Sequence, residues 1–196
     1  MTTNATTSTT TTPNDTVHVS FLLDRSGSMA PIRNDVIGGF NHFLREQQAR
    51  PGICRMTLVQ FDSQAPFEIL ADAADVRDVR PLDAARYEPR AGTPLLDALG
   101  SLLEHAERRA RGRDEDAIVV VFTDGQENAS QSWKREALFE RIAGLKARGW
   151  AFVILGAMLW VALSLLHPRR EAAATHGARS ARRWSFGIVA LVLLMV

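Results

Sequence analysis

Two hydrophobic rhythms alternate along this chain. Short continuous apolar runs read as buried strands, and stretches with apolar residues every three or four positions read as helices. Val17–Leu23 (VHVSFLL) is the first predicted strand. From Pro31 to Ala49, the positions of Ile32, Val36, Ile37, Phe40, Phe43 and Leu44 predict a helix with proline near its first turn. Cys54–Phe61 follows an Arg50-Pro51-Gly52 turn and predicts a second strand, and Phe67–Leu70 predicts a short third one at a sheet edge. Asp72–Arg90 is polar and proline-punctuated and reads mostly as loop. Pro94–Ala110 places Leu95, Leu96, Leu99, Leu102, Leu103 and Ala106 on one helix face, with Thr93 as the expected N-cap and Pro94 at N1. Ala117–Thr123 (AIVVVFT) predicts a central, fully buried strand. Ser132–Arg148 predicts a helix stopped by Gly149, and Trp150–Leu155 (WAFVIL) a last strand.

Strands alternating with helices imply an α/β, doubly wound, Rossmann-like sheet, mostly parallel, with helices on both faces. Right-handed crossovers gather the C-terminal ends of the strands on one edge, and a site is expected there, where the strand order reverses. Residues just after each strand are therefore the first candidates for chemistry.

The expected domain covers residues 17–156. Residues 1–16 hold nine threonines and no apolar run, so they read as a disordered tail, and they lack the features of a signal peptide. The formal net charge of +1 argues against a nucleic-acid partner. It is a sum of unlike parts. Residues 1–149 carry 18 basic and 21 acidic side chains, whereas residues 150–196 carry five arginines and one glutamate among long apolar runs. The lone Cys54 excludes an internal disulfide and a cysteine-based zinc site, and reads as a small core residue.

Three segments fall on the predicted edge: Asp24-Arg25-Ser26-Gly27-Ser28-Met29, Gly92-Thr93-Pro94 and Asp124-Gly125-Gln126-Glu127-Asn128. Their candidate groups are two carboxylates, Asp24 and Asp124, and three hydroxyls, Ser26, Ser28 and Thr93. An all-oxygen set suits a hard cation such as Mg²⁺. The Asp-x-Ser-x-Ser spacing lets one tight loop aim three side chains at one point. Gly27 permits the turn, and Ser28 is also placed to cap the helix that follows. Taken singly each segment is ordinary, because such sequences commonly make turns and helix starts. Arg25 reads as a rim contact for an acidic partner or as a solvated surface side chain. Gly125, Glu127 and Asn128 read as rim, with Glu127 and Asn128 equally able to cap the following helix. The arginines of 108–113 are followed at once by Asp114, Glu115 and Asp116, so they read as a solvated charged turn.

DRSGSM, GTPLLDALG and FTDGQENAS, in that order, resemble the von Willebrand factor type A domain of bacterial type, over about Val17 to Gly156. In that family these segments form the metal-ion-dependent adhesion site. The resemblance implies that Ser26, Ser28 and Thr93 ligate Mg²⁺ or Mn²⁺. It places Asp24 and Asp124 at or just outside the first coordination sphere, on neighbouring central strands. It implies a non-enzymatic module that binds a partner protein through an Asp or Glu carboxylate. A cation held mainly by hydroxyls keeps much of its charge, which fits that role.

Other chemistries fit less well. An aspartyl-phosphate hydrolase of the haloacid dehalogenase type, with Asp24 as nucleophile, needs a second Asp where Ser26 stands. A serine hydrolase needs Gly-x-Ser-x-Gly, which Ser28 lacks. An EF-hand counted from Asp24 meets Met29 and Asp35 where Gly and Glu belong. An inactive remnant with an altered C-terminal end is a further alternative.

The family pattern fades after Gly156. Ala157–Leu166 is apolar all round, His167–Arg183 is arginine-rich, and Trp184–Val196 is apolar again. Trp150–Gly156 is expected to be a sheet strand. A competing reading makes Trp150–Leu166 a short membrane span. Trp184–Val196 is too short to span but suits an interfacial anchor, and a frameshift or truncation would also produce the change of character. The expected location is cytoplasmic, with possible membrane association through residues 157–196.

Overall fold

The computed structural model describes residues 16–124 and 127–155. The strands are β1 (Thr16–Asp24), β2 (Ile53–Phe61), β3 (Glu68–Asp75), β4 (Asp116–Phe122) and β5 (Ala151–Leu155); the helices are α1 (Arg33–Gln48), α2 (Leu95–Ala110) and α3 (Arg135–Ala147). They form one five-stranded sheet in the order β3-β2-β1-β4-β5. All neighbours are parallel except β2 and β3, which pair antiparallel at one edge. The predicted α/β, doubly wound, Rossmann-like class is what is observed.

Strand alternation divides the core in two. Val17, Val19, Phe21 and Leu23 of β1 pack with Cys54, Met56 and Leu58 of β2 against Val36, Phe40, Phe43 and Leu44 of α1. The opposite face sets Leu22, Val59, Val119 and Val121 against Leu95, Ala98, Leu99, Leu102 and Leu103 of α2 and Leu138 and Leu145 of α3. Helices thus cover both faces, and β1 and β4 sit side by side at the point where the strand order reverses. Gly100 on α2 lies under the Trp133 indole, where a Cβ would meet ring atoms at 2.3 Å.

Several boundaries move, each for a local reason. The helix expected from Pro31 begins at Arg33, because Gly27–Ile32 winds as a 3₁₀ turn that contains Pro31. Ser28 lies inside that turn and does not cap α1. The third strand runs on to Asp75 through residues read as loop, with bulges against β2 and no fully buried face to mark it. Beyond a 3₁₀ turn at Val76–Asp78, the connection to α2 is irregular but not a surface loop. It buries Val79, Leu82 and Tyr87 in the α1-side core. Asn41 of α1 pins it by bonding both the N–H and the C=O of Leu82. The third helix starts at Arg135 rather than Ser132, because the amides of Gln131, Ser132 and Trp133 donate to the Asp97 carboxylate on α2.

Ala151–Leu155 pairs with Ile118–Phe122 in parallel register. These residues form a sheet strand, as expected for Trp150–Gly156. Among the described residues no helix is long and apolar enough to cross a membrane. The readings of residues 1–15 and 156–196 lie outside the described residues.

Candidate functional site

The edge where β1 and β4 end brings the predicted segments together. Asp24, the last residue of β1, is fully buried. Its Oδ1 accepts the Ser26 N–H at 2.7 Å, and its Oδ2 accepts the Thr123 hydroxyl at 2.6 Å. The Tyr87 hydroxyl donates to the Asp24 carbonyl at 2.7 Å. Carboxylate, main chain and loop entry are therefore all fixed by named donors. Burial pushes the Asp24 carboxyl above its usual range. The Thr123 and Ser26 hydrogen bonds oppose that rise, and the nearby Asp124 charge adds to it.

Ser26 and Ser28 bring their hydroxyl oxygens within 3.0 Å of each other. Ser26 is buried and Ser28 exposed, so the pair runs from the floor of the edge to solvent. Gly27 between them donates its N–H to the Ala91 carbonyl at 3.0 Å, and a Cβ there would lie 3.3 Å from that oxygen. The close approach is therefore tighter than a side chain accepts comfortably. Ala91 itself holds a φ of 58°, a left-handed conformation that costs a non-glycine residue roughly 1–2 kcal/mol.

Thr93 is buried on the adjoining loop. It does not act as the N-cap of α2. Its own N–H donates to Asn128 Oδ1 at 2.9 Å, and the Asn128 N–H donates back to the Thr93 carbonyl at 3.2 Å. The Leu96 amide of the first helical turn donates to Glu127 Oε2, and the Asp97 amide to Ser130 Oγ. Glu127 also receives the Ala129 and Ser130 amides and the Ser130 hydroxyl. Burial alone would raise its carboxyl, but these donors outweigh it and hold the group below its usual range. Of the residues read as rim, then, Glu127 caps α2 from the following loop and Asn128 clamps Thr93. Neither caps the helix after them. Asp124 is half-buried at the end of β4, and Gly125 lies outside the described residues.

Arg25 departs most from its expected place. It is 5% exposed, not solvated, and it turns away from the rim. Its Nε and Nη2 reach Asp62 Oδ2 at 2.8 and 2.6 Å, and its Nη1 reaches Glu68 Oε2 at 2.8 Å. Asp62 is fully buried. Its burial is outweighed by the Ala65 and Gln64 amides and the Arg25 guanidinium, which hold its carboxyl below the usual range.

Thr123, Tyr87 and Asp62 were not singled out from sequence. Thr123 had a signal, as the residue between a buried strand and Asp124. Tyr87 had only its rarity in a polar stretch, being the one tyrosine in the chain.

Among the described residues, no three His, Cys, Asp or Glu side chains gather around one point. The converging groups here are instead hydroxyls beside one buried carboxylate. A hard cation fits that donor set. The Ser26–Ser28 pair offers two neutral oxygens, and Asp24 supplies charge whose described partners are neutral hydroxyl and amide donors.

Comparison with protein families matches residues 18–164 to the von Willebrand factor type A domain. The chain belongs to this family. Among solved structures, this von Willebrand factor type A domain is similar to the manganese-loaded TRAP protein of Plasmodium vivax. The TM-score is 0.57 at 19% identity, over 83% of this chain and 67% of that one. It is also similar to a von Willebrand factor type A protein of Catenulispora acidiphila, with a TM-score of 0.52 at 13% identity, over 71% of this chain and 33% of that one. The domain thus spans about a third of the second protein's chain and two thirds of the first. No curated protein sequence matches it. These likenesses agree with the fold seen in the sheet order.

Proposed function

We propose that this von Willebrand factor type A domain is a metal-dependent protein-binding module of adhesion type. Ser26, Ser28 and Thr93 would hold a divalent cation, Mg²⁺ or Mn²⁺, with Asp24 and Asp124 at its side. When bound, the cation supplies an open coordination position that favours an Asp or Glu carboxylate from a partner protein. The observation that carries this reading is the Ser26–Ser28 hydroxyl pair, 3.0 Å apart, beside the buried carboxylate of Asp24 at the strand-order switch. The manganese in the TRAP neighbour is consistent with it.

The chain's own residues have clear parts in this scheme. Thr123 and the Ser26 amide orient the Asp24 carboxylate, so its remaining lone pairs point in fixed directions. Asn128 sets the Thr93 main chain, and Glu127 relieves Thr93 of capping α2. A hydrolase with Asp24 as nucleophile is disfavoured by the same bonds. Each of its oxygens already accepts a fixed donor, and Ser26 stands where such enzymes carry their second acid.

The test is thermal unfolding with and without Mg²⁺. A cation at about 100 times its Kd adds about 2.7 kcal/mol to the native state. That is a rise of several degrees for a domain of this size, at about 2–4 °C per kcal/mol. Ser26→Ala combined with Ser28→Ala should abolish the rise; an undiminished rise in that double variant would overturn the assignment. Metal-dependent capture of an acidic protein partner, with EDTA as control, tests the second half of the reading.

A further inference from the structure

We propose that Asp62 is a positioning residue for the candidate metal loop, acting through Arg25, the residue between Asp24 and Ser26. This inference rests on the metal-binding reading above.

Asp62 lies just after β2 and is fully buried, yet it carries a charge. Its Oδ1 accepts the Gln64 and Ala65 amides at 2.7 and 2.8 Å, which fixes its own loop. Its Oδ2 accepts hydrogen bonds from Arg25 Nε and from Arg90 Nε at 3.1 Å, and Arg25 Nη2 lies 2.6 Å from it as an ion-pair contact. One carboxylate thus joins three loops: the one after β1, the one after β2, and the one leading into α2. The main chain repeats the pattern. The Arg25 N–H donates to the Phe61 carbonyl at 2.9 Å, and the Arg90 N–H donates to the Arg25 carbonyl at 2.9 Å. Further along the same loops, Gly27 donates to the Ala91 carbonyl, and Ser63 donates to the Gly92 carbonyl.

The consequence falls on Ser26 and Ser28. Arg25 is held by its N–H, its carbonyl and its side chain, so the serines leave a fixed point. Removing the Asp62 charge would leave the buried guanidinium only the half-exposed Glu68 as a partner and release the Arg25 end of the loop. A guanidinium is required, because Nε bonds Asp62 while Nη1 reaches Glu68 in a second direction; a lysine has no such geometry. Glu68 is half-exposed and takes a supporting part, since it also receives Gln60 Nε2 at 3.1 Å.

Mn²⁺ titration by calorimetry compares the wild type with Asp62→Asn and Arg25→Lys, neither of which alters a proposed ligand. Each variant should bind at least tenfold more weakly. Wild-type affinity in both, measured on folded protein, overturns the proposal. Amide hydrogen exchange in EDTA provides a reading independent of the metal. Exchange at Arg25 and Gly27 should quicken at least tenfold in Asp62→Asn, while Val19–Leu22 stay protected. Unchanged exchange at these two amides also overturns the proposal. If Asp62→Asn fails to fold, Arg90→Ala serves in its place, because Arg90 is exposed and contributes only Nε; a two- to fivefold loss of affinity is expected, and no loss counts against Asp62 as the hub. Failure of the wild type to bind Mn²⁺, with loop exchange responding as expected, would overturn the metal reading and leave the loop lock standing.

Discussion

Replacing Thr123 with valine removes one hydroxyl and keeps the shape of the side chain. Thr123 is 2% exposed, and its hydroxyl donates to Asp24 Oδ2 at 2.6 Å. A hydrogen bond to a charged acceptor is worth about 1.5–3 kcal/mol, and Asp24 is buried too deeply for water to replace the donor. The expected loss is therefore about 2 kcal/mol in the metal-free protein at pH 7. Urea unfolding in EDTA should show a lower midpoint with an unchanged slope. The pH dependence carries a second signature. The Asp24 carboxyl is raised in the folded protein, mainly by burial. The native state then binds the proton more tightly than the unfolded chain does. The stability this group contributes is full below the model-peptide value of 3.8, and it is lost as pH rises through the folded value. Taking away the Thr123 bond raises the folded value further, so the gap between variant and wild type should widen with rising pH and narrow in acid. A midpoint equal to wild type at pH 7, or a gap independent of pH, would refute this account of how the carboxylate is held.

Other expectations follow from the same contacts. Asp97→Ala frees the amides of Gln131, Ser132 and Trp133 and should cost about 1–2 kcal/mol, in the range of a lost helix cap, measured by chemical denaturation. Gly100→Ala drives a methyl into the Trp133 ring and should destabilise by about 1–3 kcal/mol, with altered tryptophan fluorescence. Burial pushes the Cys54 thiol up to about 12, so the native protein at pH 8 should resist thiol reagents until it is unfolded. His18 is lowered below 6.5, chiefly by burial, so its contribution is present above that pH and fades as pH falls towards its folded value; His18→Gln should flatten that part of the stability profile.

Much of the fold was legible because the strands are strong signals. Val17–Leu23, Cys54–Phe61 and Ala117–Thr123 are rich in apolar residues and mostly buried on both faces, as in a covered parallel sheet, and their observed limits differ by a residue or so at an end. The edge strand β3 was only half visible. Its exposed positions remove the alternation, and its antiparallel pairing with β2 is a long-range choice that local pattern does not encode. The placement of candidate groups on one edge followed from topology alone. Their support did not. Arg25 was read as surface because an arginine is usually exposed, and its burial depends on Asp62, 37 positions away. Glu127 was read as rim or as a cap for the next helix; it caps the previous helix instead, which only the three-dimensional crossing of loops decides. Tyr87 sits in a stretch whose polarity hides that it threads beneath α1 into the core.

The cap on α2 also changes the electrostatics of this edge. In doubly wound sheets, an exposed helix N-terminus beside the switch point is a natural seat for phosphate. Here the Leu96 amide already faces the Glu127 carboxylate, and the Asp97 amide faces Ser130. The domain carries its own anion at this helix start. A phosphate arriving there would meet a negative charge and spent donors. The start of α2 is thus occupied by groups of this chain, and the remaining chemistry of the edge is left to hydroxyls and carboxylates.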